Sequence, residues 1–171
     1  MIFNYEPLLT QSDKCAAKNA ISNGIANSKI IYELESYLSE FFSAPAITCN
    51  SGTSALHLSL LAAGLKDGDE VICPVITFAA SWNVIKYVGA KPIFVDVDPK
   101  TWCIDTKKLE HHITKKTKAI ICVDLYGNPC DYNELFSICK RHNLILISDA
   151  AAGLGSKFNN QQLGSIADFN C

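Results

Sequence analysis

Short apolar runs alternate along the chain with stretches in which apolar residues recur every three or four positions. The short runs predict buried strands at residues 70–74, 91–97, 117–125 and 144–147. The longer-period stretches predict helices at residues 77–88, 106–113 and 131–141. Strands that alternate with helices are typical of the α/β class, and we expect a three-layer α/β/α sandwich around a mostly parallel sheet.

Both ends of the chain add to this pattern. Residues 12–43 are predicted to be helical, with a break at Asn23-Gly24 and an apolar stripe that includes Ile31, Leu34 and Leu38. We therefore expect an N-terminal helical segment over residues 1–45 and a larger domain over residues 46–171. Near the C-terminus, residues 158–162 predict a hairpin turn, and residues 166–171 read as the beginning of a further strand.

A polar turn between a strand and a helix is predicted at the start of the larger domain. Residues 46–49 are apolar and predict a strand, the turn Asn50-Ser51-Gly52-Thr53 follows, and a helical pattern begins directly after it. A helix N-terminus carries partial positive charge and unpaired N–H groups, which suits a phosphate. An ordinary helix cap formed by Ser51 or Thr53 explains the same residues, and this stretch alone favours the cap over a phosphate site.

Other polar residues also follow predicted strands. They are Thr77 with Phe78, Asp124 and Asp149. Because ligands of parallel sheets bind at the carboxyl ends of the strands, we expect these residues to gather with Ser51-Gly52-Thr53 on one edge.

Composition and charge exclude several classes of function. Hydrophobic residues make up 49% of the 171 residues, charged residues make up 19%, and the formal net charge is -2. These values indicate a globular protein, and they favour neither nucleic acid nor an anionic membrane surface as a partner. No apolar run approaches the length of a membrane span, and the first residues lack the pattern of a signal peptide, so we expect a cytoplasmic location.

The eight cysteines are interpreted as small, buried, reduced side chains. No two of them have the Cys-x-x-Cys spacing, and most lie inside apolar runs. The four histidines form no ligand pattern either. We therefore expect no metal site.

Several motifs in order resemble one enzyme family. They are SGTSALHLSL, GDEVICPVITFAASWNVIKYVGAKPIFVDVDPKTWCID, KAIICVDLYGNPCD, ILISDAAAGLGS and LGSIADF. Together they resemble the DegT/DnrJ/StrS sugar-nucleotide aminotransferases, which are pyridoxal-phosphate (PLP) enzymes with the aspartate-aminotransferase fold. The resemblance extends from the region of Pro7-Leu8 to Cys171. It implies that residues 46–171 form part of the PLP-binding large domain.

The resemblance also implies roles for individual residues. Gly52 and Thr53, with Ser51, are expected to bind the cofactor phosphate. Phe78 is expected to stack on the pyridine ring, and Asp149 is expected to pair with the ring nitrogen. Without the neighbouring motifs, a core aromatic on a helix face is the preferred interpretation of Phe78. The corresponding interpretation of Asp149 is a turn residue or cap at the end of a strand, which is common for aspartate.

The chain departs from the family pattern at three places. Ala152 stands where the family often has a glutamine, and Asp124 stands where it often has a histidine before Leu-Tyr-Gly. The family's Schiff-base lysine is expected a few residues after the position of Cys171. Lys140 and Lys157 read as surface lysines and do not replace it, so we expect no catalytic residue in this chain, and a large domain incomplete at its C-terminus without the small C-terminal domain.

The resemblance implies an activity for the intact protein. We expect a homodimeric PLP-dependent aminotransferase that converts a keto-sugar nucleotide to an amino sugar nucleotide for polysaccharide or glycan synthesis. Glutamate is the expected amino donor. Two alternatives stay open: a PLP-dependent sugar dehydratase of the same family, and a non-catalytic chain that binds a cofactor or a partner. A chain of this extent alone is expected to be inactive.

Overall fold

The described residues of the N-terminal unit form two helices. The structure, a computed structural model, describes residues 8–22 and 28–171 and divides into the units Met1–Thr48 and Cys49–Cys171. The first unit holds α1 (Gln11–Ser22) and α2 (Ser28–Phe42). The predicted break at Asn23-Gly24 lies outside the described residues, and the division into a helical segment and a PLP-binding domain stays a prediction.

The strand predicted at residues 46–49 is wrong, because this stretch forms no strand. Its amide groups are used by side chains of α2. The amide of Ala46 donates to Ser39 Oγ at 3.0 Å, and the amide and hydroxyl of Thr48 donate to Glu35 Oε1 at 2.8 and 2.9 Å. These two amides are therefore not available as donors to a strand ladder.

The second unit is built on a parallel sheet of five strands in the order β2-β1-β3-β4-β7. Its strands are β1 (Glu70–Pro74), β2 (Lys91–Val95), β3 (Thr117–Val123), β4 (Ile145–Asp149) and β7 (Phe169–Asn170). A separate antiparallel hairpin pairs β5 (Lys157–Phe158) with β6 (Gln161–Gln162). The predicted α/β class, parallel sheet, tail hairpin and final strand are confirmed.

Four helices accompany the sheet in this unit. They are α3 (Gly52–Ala62), α4 (Ala80–Tyr87), α5 (Thr106–Leu109) and α6 (Tyr132–His142), and a short 3₁₀ turn, Glu110–His112, extends α5. Asp131 caps α6 as predicted by accepting from the amide of Glu134 at 3.2 Å. Helix α4 begins later than the predicted residue 77, after a turn in which the amide of Ser81 donates to the carbonyl of Phe78.

Alternate residues of each central strand enter two different cores. Ile120 and Leu146 point into one core with residues of α5 and α6, such as Leu109 and Leu135. Ile121 and Ile147 point into the other core with residues of α3 and α4, such as Leu56, Leu60, Val84 and Ile85. Both faces of the sheet are therefore covered by helices, which confirms the three layers.

The burial of the cysteines agrees only in part with the prediction. All eight are free thiols; five are buried, Cys171 is half-buried, and Cys15 and Cys49 are exposed. Among the described residues no group of three or more metal-ligating side chains could hold a metal ion. No helix in the described ranges is long and apolar enough to cross a lipid bilayer.

Two adjacent leucines of α3 test this packing. Leu60 is fully buried between α4 and the sheet, whereas about half of the Leu61 side chain is exposed. We expect Leu60→Ala to lower the free energy of unfolding by about 2–5 kcal/mol, because it leaves a cavity in the core. Leu61→Ala is the matched control and is expected to change the free energy of unfolding by no more than about 0.5 kcal/mol. Urea unfolding measures both values, and equal losses would contradict the assigned face of α3.

Candidate functional site

The candidate site lies along the edge of the sheet where the parallel strands end. Strand β1 ends at Pro74, β3 at Val123 and β4 at Asp149, and these ends share one edge because the strands are parallel neighbours. Ligands of open parallel sheets bind at this edge. The residues that follow these strands are therefore the ones that could contact a ligand.

Helix α3 contributes two amide donors. Ser51 is the N-cap: its hydroxyl accepts from the amide of Ser54 at 3.1 Å and donates to Ser54 Oγ at 3.1 Å. The Ser51 side chain is thus occupied as a helix cap. The amides of Gly52 and Thr53 donate no hydrogen bond within the described residues, and a Cβ added to Gly52 would meet only open space. These two amides can bind an anion at the positive end of the helix dipole.

Phe78 contributes an open aromatic surface. It lies between β1 and α4, and 77% of it is exposed. The alternative interpretation of Phe78 as a core aromatic on a helix face is therefore wrong. An exposed ring of this size offers a flat apolar face on which a planar ligand can stack.

Asp149 contributes a buried carboxylate at the end of β4, with only 8% of the residue exposed. Its Oδ2 atom accepts a hydrogen bond of 2.7 Å from the hydroxyl of Ser81. Its Oδ1 atom has one long contact, 3.4 Å to the amide of Ala151. One carboxylate oxygen is thus fixed by the protein, whereas the other retains capacity to accept a hydrogen bond from a ligand.

Hydrogen bonds connect Asp149 with the Phe78 segment. Ser81 Oγ lies 2.7 Å from Thr77 Oγ1 and 3.2 Å from the carbonyl of Phe78, in addition to its bond with Asp149. Among the described residues, no hydrogen bond connects Ser51, Gly52 or Thr53 with this group. The sequence predictions did not include Ser81; the signal available was its position four residues after Thr77, which places both hydroxyls on one face of a helical turn.

Asp124 does not share the open edge with the other polar residues, contrary to expectation. It is fully buried, and both of its oxygens are occupied by the protein. Oδ1 accepts from the amide of Cys130 at 3.0 Å, whereas Oδ2 accepts from the hydroxyl of Tyr132 at 2.6 Å and from that of Ser148 at 3.3 Å. A carboxylate saturated in this way holds the β3–α6 connection in place and offers nothing to a ligand.

The network around Asp124 affects the ionisation of Tyr132. Burial, and then the negative charge of neighbouring groups that include Asp124, raises the pKa of the Tyr132 hydroxyl far above its usual value. The hydroxyl therefore stays protonated and can donate to Asp124 throughout the neutral range. It also lies 2.8 Å from Ser148 Oγ, so the network reaches the residue next to Asp149.

The remaining residues singled out from the sequence lie at the surface. Lys140 and Lys157 are exposed, in agreement with prediction, and so is Ala152. The backbone of Ala152 has a close neighbour, since a Cβ added to Gly127 would lie 2.9 Å from the Ala152 carbonyl oxygen. Gly127 also has a φ of +79°, so the loop after β3 requires glycine at this point of contact with the loop after β4.

Taken one by one, these groups suit the parts of a phosphorylated, planar, nitrogen-containing ring. The amides of Gly52 and Thr53 suit its phosphate, the Phe78 ring suits its face, and Asp149 Oδ1 suits a protonated ring nitrogen. Each of these groups has binding capacity that residues 8–22 and 28–171 leave unused. Pyridoxal phosphate has all three features, so the residues present fit this cofactor.

Comparison with known proteins gives a family match over nearly the whole chain. The model of the DegT/DnrJ/EryC1/StrS aminotransferase family matches residues 9–171. GDP-perosamine synthase of Escherichia coli O157:H7 is 43% identical over 169 residues, which are 97% of this chain and 46% of that protein. The chain thus spans about half the length of this relative.

Solved structures share the fold. The aminotransferase from Psychrobacter cryohalolentis aligns with a TM-score of 0.90 at 33% identity, over 97% of this chain and 43% of that one. The PLP form of a putative sugar aminotransferase from Streptococcus pneumoniae aligns with a TM-score of 0.88 at 38% identity, over 95% of this chain and 46% of that one. The observed sheet therefore corresponds to part of a PLP-binding enzyme fold.

The Asp124 network gives a testable prediction. Tyr132→Phe removes the hydroxyl that donates to Asp124 at 2.6 Å and leaves this buried carboxylate short of one donor. We expect the free energy of unfolding to fall by about 1–3 kcal/mol. Tyr126→Phe is the matched control, because the Tyr126 side chain is largely exposed, and it is expected to have almost no effect. Equal unfolding curves for the two variants in urea would show that the network does not stabilise the fold.

Proposed function

Because the chain belongs to the DegT/DnrJ/EryC1/StrS aminotransferase family, we propose that it forms the N-terminal, cofactor-binding part of a PLP-dependent sugar-nucleotide aminotransferase. In this proposal, residues 46–171 belong to the PLP-binding large domain. The observation that carries the proposal is the buried Asp149 carboxylate, which has one oxygen fixed by Ser81 and the other open to a ligand.

Each candidate residue has one task in the proposed site. The amides of Gly52 and Thr53 bind the cofactor phosphate, while the Ser51 hydroxyl caps the helix that presents them. The Phe78 ring covers one face of the pyridine ring. Asp149 accepts a hydrogen bond from the ring nitrogen and favours its protonated form. When bound, the cofactor supplies an electron sink, and a protonated ring nitrogen makes that sink deeper.

The substrate class rests on the relatives. One of them is a GDP-perosamine synthase and another is a putative sugar aminotransferase, so a keto-sugar nucleotide is the substrate that we propose for the whole protein. Glutamate as amino donor and a homodimeric assembly belong to the same proposal. The dehydratase of the same family and the non-catalytic binding chain remain the competing predictions.

The cofactor assignment can be tested by binding alone. We expect the chain to bind PLP more tightly than pyridoxal, which lacks the phosphate, and more tightly than 1-deaza-PLP, which lacks the ring nitrogen. A hydrogen bond to a charged group is worth about 1.5–3 kcal/mol, so Asp149→Asn should weaken PLP binding by about 10- to 100-fold. The variant should bind 1-deaza-PLP as the unaltered chain does. Isothermal titration calorimetry measures each affinity.

Asp131→Asn is the matched control for this experiment. Asp131 caps α6 through its side chain, and asparagine caps helices equally well, so this change is expected to leave both affinities unchanged. If the unaltered chain bound PLP and 1-deaza-PLP equally, the pairing of Asp149 with the ring nitrogen would be refuted. If it bound neither ligand, the cofactor-binding proposal itself would fail.

A further inference from the structure

We propose that Ser81 is a positioning residue for Asp149: its hydroxyl fixes one carboxylate oxygen so that the other is presented to the ring nitrogen of the cofactor. The identity of the ligand, a cofactor with a ring nitrogen, rests on the function proposed above. The contact that positions the carboxylate belongs to this chain alone and can be tested without any ligand.

The direction of the hydrogen bonds follows from the groups involved. A carboxylate and a carbonyl can only accept, so the Ser81 hydroxyl is the donor both to Asp149 Oδ2 at 2.7 Å and to the Phe78 carbonyl at 3.2 Å, and its single proton serves no further acceptor. Thr77 Oγ1 lies 2.7 Å from Ser81 Oγ, and it must therefore be the donor in that contact. The result is a relay from the Thr77 hydroxyl through Ser81 to the carboxylate, and donors in such a chain polarise one another.

The Ser81 hydroxyl is held in place by its helix. Ser81 lies in the first turn of α4 and is fully buried. The next turn of α4 places Val84 and Ile85 in the same core as Ile147 of β4. The helix therefore packs beside the strand that carries Asp149, and a buried side chain on a packed helix has little freedom to move.

The Asp149 main chain is held from the other direction. The amide of Asp124 donates to the carbonyl of Asp149 at 3.1 Å, and the neighbouring Ser148 side chain is bonded to Tyr132. With its backbone fixed, Asp149 can change the orientation of its carboxylate mainly by rotation of its own side chain. Ser81 provides the only side-chain hydrogen bond to this carboxylate within the described residues, so it determines that rotation.

A purely structural role for Ser81 would also be satisfied by its contact with the carbonyl of Phe78, as is common for serine within helices. That contact is 3.2 Å long, whereas the contact with Asp149 is 2.7 Å and joins a hydroxyl with a charged acceptor. Charge-assisted hydrogen bonds are shorter and stronger than neutral ones, so the bond with Asp149 is the stronger of the two.

Three variants of the full chain test the inference. Ser81→Ala removes the hydroxyl, and Ser81→Thr retains it. Ser59→Ala is the matched control, because Ser59 is another buried serine, and its hydroxyl contacts the carbonyl of Ala55 and Cys171 Sγ rather than Asp149. We expect Ser81→Ala to reduce the preference for PLP over 1-deaza-PLP by roughly three- to tenfold, with the affinity for 1-deaza-PLP unchanged. Ser81→Thr and Ser59→Ala should keep the preference of the unaltered chain.

A second measurement needs no ligand. The side-chain carboxyl carbon of Asp149 can be observed by NMR in a chain labelled with [4-¹³C]aspartate, and its signal is assigned by its loss in Asp149→Asn. We expect Ser81→Ala to shift or broaden this signal and Ser81→Thr to restore it. Ser59→Ala should leave it unchanged.

The two measurements separate the inference from the function on which it rests. If the unaltered chain shows no preference for PLP over 1-deaza-PLP, the pairing of Asp149 with the ring nitrogen fails, and if it binds neither ligand, the proposed function fails. In both cases the carboxyl signal alone then decides whether Ser81 positions Asp149. An unchanged carboxyl signal in Ser81→Ala overturns the inference, whatever the chain binds. An equal loss of affinity for both ligands, together with an unchanged signal, assigns Ser81 a structural role only.

Discussion

The pleat of the central parallel strands is the constraint on which the rest of the structure depends. Successive residues of a strand point to opposite faces, and both faces of this sheet are covered by helices. Each of these strands must therefore be apolar on both sides, which explains the continuous runs at β1, β3 and β4. The same constraint places Ser148 and Asp149 on opposite faces at the end of β4. Ser148 joins the network of Tyr132, while Asp149 faces α4.

Helix α4 and the α6 region thus hold the end of one strand from two sides. The hydroxyl of Ser81 holds the Asp149 side chain on one face, and the hydroxyl of Tyr132 holds Ser148 on the other. Both contacts are buried, where hydrogen bonds are strong and an unpaired polar group is costly. The candidate site is therefore continuous with the core, and changes that loosen the packing of α4 should also disturb the carboxylate.

The sequence predicted the strands well because burial on both faces leaves a signal within each segment. The strand prediction failed at residues 46–49. This stretch is apolar, as a buried strand would be, but the amides of Ala46 and Thr48 donate to the side chains of Ser39 and Glu35 in α2. The turn at Gly52-Thr53, Phe78 and Asp149 were singled out by their positions next to strand ends or at a helix start and by the family resemblance, and their roles stay predictions. The pairing of Ser81 with Asp149 could not be recognised from the sequence, because it joins residues 68 positions apart and depends on how α4 packs beside β4.

The two buried aspartates at adjacent strand ends show how a structural carboxylate differs from one suited to a ligand. Asp124 and Asp149 have the same chemistry, similar burial and neighbouring strands. Both carboxylate oxygens of Asp124 accept short hydrogen bonds, Oδ1 from the amide of Cys130 and Oδ2 from the hydroxyl of Tyr132, and Oδ2 also has a longer one from Ser148. Asp149 has one short bond and one oxygen with only a long contact. Since a buried carboxylate is costly without donors, the unused capacity of Asp149 is stabilised best by a donor beyond those that the described residues supply.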